Sequence, residues 1–181
     1  MENNQATPSY REIVAGLQDM VYNTALSIVQ NAEDAEDITQ EVFIKLYEEL
    51  DHFRGEAKLS TWVYRITINK ALDAERKRKA KKRGGFLNRV WGSEEDHEPA
   101  HFNHPGIELD KKEDAAVLFA ALRKLPDNQR IAFLLHKAEG LGYAEIADIM
   151  KVSVAAAESL QARAKTNLRL ELNDYYQKHF K

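Results

Sequence analysis

Tyr143-Ala-Glu-Ile-Ala-Asp-Ile-Met150, then Lys151-Val152, then Ser153-Val-Ala-Ala-Ala-Glu-Ser-Leu160 is the stretch on which the fold turns. Ile146, Ala147 and Met150 share one face of a short helix. Lys151-Val152 makes a turn, and the Ser153 hydroxyl is placed to cap a longer helix running at least to Leu172. A short helix, a turn of roughly three or four residues and a longer helix is the helix-turn-helix pattern. Ala147 falls where the two helices must approach closely, a place a larger side chain would obstruct.

Outward from this motif the periodicity stays helical. Ile131, Leu134 and Leu135 form the buried stripe of a preceding helix, which stops at Gly140 and for which Pro126 suits the first turn. Val117, Leu118, Ala121, Leu122 and Leu125 make another stripe, in a helix beginning near Asp110. Between residues 84 and 109, Gly84, Gly85, Gly92, Gly106, Pro99 and Pro105 stand amid acids, which is linker composition. Phe86, Leu87, Val90 and Trp91 interrupt it and fit a short docking helix.

Three further helices precede the linker. Ile13, Leu17, Met20, Val21, Thr24, Ala25 and Ile28 follow one stripe from Tyr10 to Val29. Asn31-Ala-Glu-Asp34 reads as a turn and helix start, its acids suiting the positive end of the helix dipole. The second stripe is Ala35, Ile38, Val42, Leu46, Tyr47 and Leu50. After a break at residues 51–58, Ser60 is expected to cap a third helix carrying Trp62, Val63, Ile66 and Leu72. No strand pattern competes, so the expected fold is all-α. It consists of two small helical domains, 1–83 and 112–181, joined by a flexible linker at 84–111, with the helix-turn-helix in the second.

Composition narrows the function. At 181 residues, 44% apolar and 30% charged, the chain suits one ordinary domain or two small ones. No stretch of about 18 apolar residues spans a bilayer, and Met1-Glu-Asn-Asn-Gln5 lacks the basic and apolar regions of a secretory signal, so a cytoplasmic protein is expected. Without cysteine there is neither a thiolate nucleophile nor a thiolate metal site. His97, His101 and His104 lie among prolines with no second ligand cluster, and read as solvated linker residues. No phosphate loop or nucleophile elbow is present, so neither a cofactor, a metal nor an enzyme activity is expected.

The net charge of −3 hides strong blocks. Residues 31–60 carry nine acids and three bases, 61–83 nine bases and two acids, 94–114 eight acids and two bases, and 115–181 ten bases and seven acids. Arg76–Arg83 alone holds seven bases in eight residues, a run that repels itself unless an anion is expected. The bland reading is a solvated helix end complementing the dipole. Just upstream on the same helix stand Trp62, Tyr64, Arg65, Asn69, Lys70 and Asp73. Rings that stack on bases, amides that read base edges and cations that follow a backbone are the needs of a single-strand-binding surface.

Asp34-Ala-Glu-Asp-Ile-Thr-Gln-Glu-Val-Phe-Ile-Lys45 resembles the polymerase-binding helix of bacterial extracytoplasmic-function (ECF) sigma factors of the sigma-70 family. Phe53-Arg-Gly-Glu-Ala-Lys-Leu-Ser-Thr-Trp-Val-Tyr-Arg-Ile-Thr-Ile-Asn69, with Ala71-Leu-Asp73 and Arg76-Lys-Arg78, resembles the promoter-melting segment of that family. Leu125-Pro-Asp-Asn-Gln-Arg130, Tyr143–Ala147, Ser153-Val154, Glu158-Ser-Leu160, Arg163-Ala-Lys165 and Asn167-Leu168 are similar to its second DNA-binding domain. The likeness covers residues 10–83 and 112–172 in order.

The resemblance implies roles. Asp37, Gln40, Glu41 and Lys45 would dock on the clamp helices of core RNA polymerase. Phe53, Lys58, Ser60, Trp62, Tyr64, Arg65, Asn69, Lys70, Asp73, Arg76, Lys77 and Arg78 would contact the −10 element, with one base of the melted non-template strand flipped into a pocket formed by Asn69, Phe53 and the loop to Ser60. Tyr143, Ser153, Ala155, Ala156, Glu158, Ser159, Ala162, Arg163 and Lys165 would contact duplex DNA at the −35 element. An anti-sigma factor is implied as a further partner, and no membrane insertion. The sequence departs from the family where Glu158 and Leu160 replace cations, Gln161 replaces an apolar residue and Ala157 a larger one. Fewer cations imply weaker phosphate anchorage. The principal alternative is a helix-turn-helix regulator that binds duplex DNA without polymerase, which leaves Trp62–Asn69 and the acidic face of Asp34–Lys45 without a role. An adaptor that merely occupies polymerase is a further alternative.

Overall fold

The computed structural model describes residues 9–53, 57–85 and 112–179; Phe86–Trp91 and the three linker histidines lie outside them. The helices are α1 (Tyr10–Val29), α2 (Ala32–Glu49), α3 (Leu59–Gly85), α4 (Lys112–Lys124), α5 (Asp127–Lys137), α6 (Tyr143–Met150) and α7 (Val154–His179), with a 3-10 turn at Leu50–His52. Among the described residues there is no strand. The fold is two helical units, α1–α3 and α4–α7, the second containing the helix-turn-helix.

Local chemistry sets the helix ends. At the start of α1 the Ser9 hydroxyl accepts from the Glu12 N–H (3.4 Å) while the Glu12 carboxylate accepts from the Ser9 N–H (2.7 Å), a reciprocal capping box. Gln30 closes α1 in the left-handed region at φ 54°, and Asn31 caps α2 by accepting from the Asp34 N–H at 2.8 Å. Ser153 caps α7 as its sequence position predicts, accepting from the Ala156 N–H at 3.1 Å. Lys151 turns the chain at φ 55°, and the Val152 N–H returns to the Ala147 carbonyl at 3.0 Å.

Several expectations need correction. Ser60 caps nothing: α3 begins at Leu59, and the Lys58 carbonyl accepts the Trp62 N–H at 3.2 Å, so Ser60 lies within the first turn. Pro126 precedes α5 rather than entering it, and its carbonyl accepts from both Gln129 and Arg130 at 3.0 Å. That helix ends at Lys137, because the Ala138 and Glu139 N–H groups converge on the Leu134 carbonyl; Gly140 follows at φ +69°. Tyr47 leaves the core stripe and is 69% exposed, packed edge-on to Tyr10 with ring centroids 5.1 Å apart. Phe43 fills the core position instead.

Val21, Ala25, Ile28, Val42, Leu46, Val63 and Ala71 form the core of the first unit; Phe119, Leu122, Leu135, Ile146, Ala157 and Leu168 form that of the second. The two cores join. Ile28 and Ile68 from one unit and Ile131, Leu134 and Leu135 from the other surround a common cavity of about 10 Å³. In consequence α3 packs against α6, and α1 against α5.

Candidate nucleic-acid interface

The first surface is the outer side of α2. Its apolar stripe turns Ala35, Ile38, Val42 and Leu46 inward, leaving Asp37, Gln40 and Glu41 exposed on the other side. One turn further on, Ile44 is 59% exposed, so the acidic face continues into an apolar edge of Ile44 and Tyr47. Lys45 is half-exposed and bonded to Glu49 at 2.7 Å. Acid plus uncovered isoleucine and tyrosine describes a protein-docking surface better than a plain solvated face.

The second surface is α3 and the segment before it. Phe53 and Trp62 lie tilted together, ring centroids 5.3 Å apart. With Glu48, Glu49, His52, Ala57 and Arg65 they line a hollow of about 580 Å³. Asn69 is exposed, but it lines a different hollow of about 460 Å³, with Lys45, Leu72, Met150 and Lys151 among its walls. Trp62 and Arg65 belong to both hollows. Asn69 and Phe53, expected in a single pocket, thus line two hollows that share Trp62 and Arg65, and residues 54–56 of the loop lie outside the described residues.

Many cations of this surface are already engaged. Lys70 meets Glu41 at 2.7 Å, Arg78 meets Asp34 at 3.4 Å, and Arg76 meets Asp73 at 3.1 Å. Lys58 lies 3.6 Å from Glu145, and Arg65 bonds the Asp148 carboxylate at 3.1 Å as well as the carbonyls of Asp148 and Ile149. Tyr64 does not offer a ring to a base: it is buried, and its hydroxyl donates to Glu139 at 3.2 Å. Burial pushes the Tyr64 pKa far up, reinforced by the charges of Glu139 and Glu145. Arg76 and Lys77 remain exposed at the start of the basic track.

The third surface is α7 with its cap. Ala157, Gln161, Ala164 and Leu168 face inward, which leaves Ser153, Ala155, Glu158, Ala162, Arg163 and Lys165 exposed and Ala156 and Ser159 partly so. Arg163 is steadied by the Ser159 hydroxyl at 2.8 Å. Tyr143 stacks on His136 with centroids 4.9 Å apart, and His136 Nδ1 lies 2.9 Å from the Leu141 carbonyl. Arg163 and Lys165 are the cations this face offers to phosphate.

Sequence reasoning quoted Arg130 only as the end of the Leu125–Arg130 motif and did not single out Glu75, Glu139 or Asp148. Arg130 is 1% exposed and holds Glu75, 3% exposed, through two nitrogens at 3.1 and 2.6 Å, with Asp127 as a further partner at 3.1 Å. The only available signal for Glu75 was an acid immediately before a basic run. No group of acids and histidines capable of holding a metal occurs among the described residues, and no described helix is long and apolar enough to cross a membrane.

Among the described residues, an all-helical arrangement with an acidic and apolar helix face, an aromatic-basic helix and a helix-turn-helix is that of a two-unit DNA-binding protein. Sigma-70 region 2 matches residues 13–81 and a sigma-70 region 4 family matches residues 116–168. The chain is 31% identical to the RNA polymerase sigma-H factor of Pseudomonas aeruginosa, covering 84% of this chain and 80% of that one. It is 31% identical to the ECF RNA polymerase sigma factor SigW of Bacillus subtilis, covering 92% and 90%. SigE of Mycolicibacterium smegmatis is 33% identical over 96% of this chain but only 64% of its own length. The solved sigma factor RpoE of Bartonella quintana, in complex with the anti-sigma factor NepR, has the same fold at TM-score 0.66 and 23% identity, covering 91% and 96%. CnrH, solved in complex with the cytosolic domain of CnrY, follows at TM-score 0.65 and 22% identity, covering 91% and 88%. The chain belongs to the ECF sigma factors of the sigma-70 family, the RNA polymerase subunits that direct promoter-specific initiation.

Proposed function

We propose a division of labour along the chain: residues 1–83 bind core RNA polymerase and read and melt the −10 element, 84–111 link, and 112–181 bind the −35 element. The observation that carries this is the order of region 2 and region 4, each bearing an exposed surface of the chemistry its role demands. Asp37, Gln40 and Glu41, extended by Ile44 and Tyr47, meet a basic partner with an apolar spot. The hollow beside Phe53 and Trp62 has room for an extruded base, and Asn69 reads from the adjoining hollow, where its amide offers a donor and an acceptor together. Ser153, Arg163 and Lys165 anchor α7 on duplex phosphates, and Glu158 accepts from a cytosine amino group.

In this reading the protein is cytoplasmic, catalyses nothing itself and needs no cofactor. An anti-sigma factor is a further partner, in keeping with the complex in which RpoE was solved. The test is transcription in vitro with core polymerase on a library of genomic fragments. Start sites sharing −10 and −35 sequences are expected; DNA binding without polymerase-dependent transcripts would favour a plain duplex-DNA regulator.

A further inference from the structure

His136 sits in the last turn of α5, and two contacts fix its ring. Nδ1 lies 2.9 Å from the Leu141 carbonyl, and the ring stacks within 20° of the plane of Tyr143, the first residue of α6. The Leu141 N–H in turn donates to the Leu135 carbonyl at 3.0 Å. The connection from α5 to α6 therefore folds back on α5 and presents Tyr143 to the imidazole.

A carbonyl only accepts, so the bond to Leu141 puts a hydrogen on Nδ1. In the neutral ring Nε2 then carries a bare lone pair, which repels a phosphate oxygen. In the charged ring it carries an N–H, which donates to one. Nε2 has no partner among the described residues and is not enclosed. Protonation thus alters one solvent-facing atom and disturbs neither the carbonyl bond nor the stack.

The charges around the ring are engaged elsewhere or point outward. Lys137 follows on the same helix and is exposed, and the Glu139 carboxylate accepts from the Tyr64 hydroxyl. From α6, Glu145 takes the Gly142 N–H at 3.3 Å and faces Lys58, while Asp148 is held by Arg65. The inward face of α7 (Ala157, Gln161, Ala164 and Leu168) is uncharged, and its Arg163 and Lys165 are exposed. Thr24, Ser27 and Ile28 of α1, which meet the other side of α5, carry no charge, and Glu75 of α3 is taken by Arg130. Among the described residues no carboxylate lies within ion-pair distance of His136. Histidine is the side chain whose charge ordinarily changes between about pH 5 and 8. In a helix-turn-helix the first helix crosses the DNA backbone while the second enters the groove. Here these are α6 and α7, so the His136–Tyr143 pair belongs on the phosphate side.

We propose that His136 is a proton-linked member of the −35 surface: its ring holds Tyr143 against the DNA backbone and, when charged, donates from Nε2 to a duplex phosphate. Duplex binding then takes up a proton at this residue. This rests on the assignment of α6 and α7 to duplex DNA.

The probe is a fluorescent duplex of about 30 base pairs and random sequence, because phosphate contacts carry no sequence information. It is titrated with the full chain. Lowering the pH from about 8 to about 5.5 should tighten binding about tenfold, the order of one charge-assisted hydrogen bond. The plot of log K against log salt should steepen by about 0.9, the share of one phosphate. His136→Arg, planar and always charged, should show the tight affinity and steep slope at both pH values. His136→Phe keeps the stack without the charge and should lose this response. The remaining histidines are common to all three chains, so the comparison isolates position 136. Should a variant fail to fold, nitrogen-15 spectra of the histidine rings in the unaltered chain give the same answer. At pH 7 saturating duplex should convert His136 from the Nδ1–H tautomer to the charged ring. A slope independent of pH, the same pH response in His136→Phe, or a ring that stays neutral on the duplex would overturn the proton link. Lys165→Ala separates this from the reading beneath it. If that variant binds with unaltered affinity and slope, the assignment of α7 to duplex DNA falls and the proposal with it. If it weakens while position 136 shows no pH response, only the proton link falls.

Discussion

Two side chains carry the most consequence at the residue scale. Gln161 is 2% exposed on the inner face of α7, and its Nε2 has no hydrogen-bond partner. An unmade buried bond costs about 1–3 kcal/mol. Gln161→Met keeps the length and removes the donor, so a gain of about 1 kcal/mol is expected in chemical denaturation, with helicity unchanged. The sequence already marks this position, since an amide stands where the family places an apolar residue. Glu139 is less legible. Burial raises its pKa above the ordinary 4.5, offset in part by the hydrogen bond from Tyr64. A raised carboxyl pKa means the packed state prefers the protonated form, so this contribution is present at acid pH and lost as pH rises through the native value. Glu139→Gln should therefore be more stable than the parent at pH 7, with the difference closing on titration towards about pH 4, below the ordinary value. Thermal unfolding across that range measures it; an unchanged gap would exclude the linkage.

Helices were readable wherever apolar spacing and a capping residue agreed. Ser153 and the limits of α1 and α6 follow from those rules, and they are local: a hydroxyl one residue before a helix reaches a free N–H whatever else the fold does. Ser60 misleads because the same chemistry is available in the first turn, and the preceding segment sets where α3 begins. Tyr47 misleads because it follows Leu46 directly, so a rotation of one position separates core from surface. On α2 the outward face carries a prediction. Asp37→Arg with Glu41→Arg places cations against a basic partner, and like charges at an interface cost several kcal/mol. Binding to core polymerase should fall by more than about a hundredfold, roughly 3 kcal/mol, with circular dichroism unaltered. Native affinity in the folded double variant would remove α2 from the interface. On α3, Asn69 lines one hollow and Phe53 the other. Asn69→Ala should lose about 1–3 kcal/mol of base discrimination at −10 on both paired and pre-melted templates. Full base preference on the pre-melted template would make Asn69 structural.

How the units sit together was not legible at all, because no local pattern encodes it. Glu75 reads as a stray acid beside a basic run and Arg130 as part of a motif at the next helix start, yet the two pair across 55 positions, with Asp127 as a further partner of Arg130. The same relation makes stability testable at the level of the whole chain. Two helical units with a shared interface unfold together if that interface is strong enough, and separately if it is not. Breaking a buried pair by removing one partner costs about 3–5 kcal/mol while the survivor stays buried. Exposed pairs such as Lys58–Glu145 and Arg65–Asp148 return only about 0.2–1 kcal/mol each. The penalty exceeds what they supply, so Arg130→Met should relieve it by opening and letting Glu75 hydrate, and the loss is capped at the free energy of closing. Scanning calorimetry of the parent should then show one transition, and Arg130→Met two, with the units melting independently. Salt sharpens the contrast: at about 0.15 M the screening length is already near 8 Å, which weakens the exposed pairs but not the buried one. The parent should keep its single transition from low to moderate ionic strength, whereas the two transitions of Arg130→Met should move further apart as salt removes what remains of the contact. A single, unmoved transition in Arg130→Met at both salt concentrations would show that apolar contacts around Ile68 and Ile131, rather than the ion pair, hold the units together.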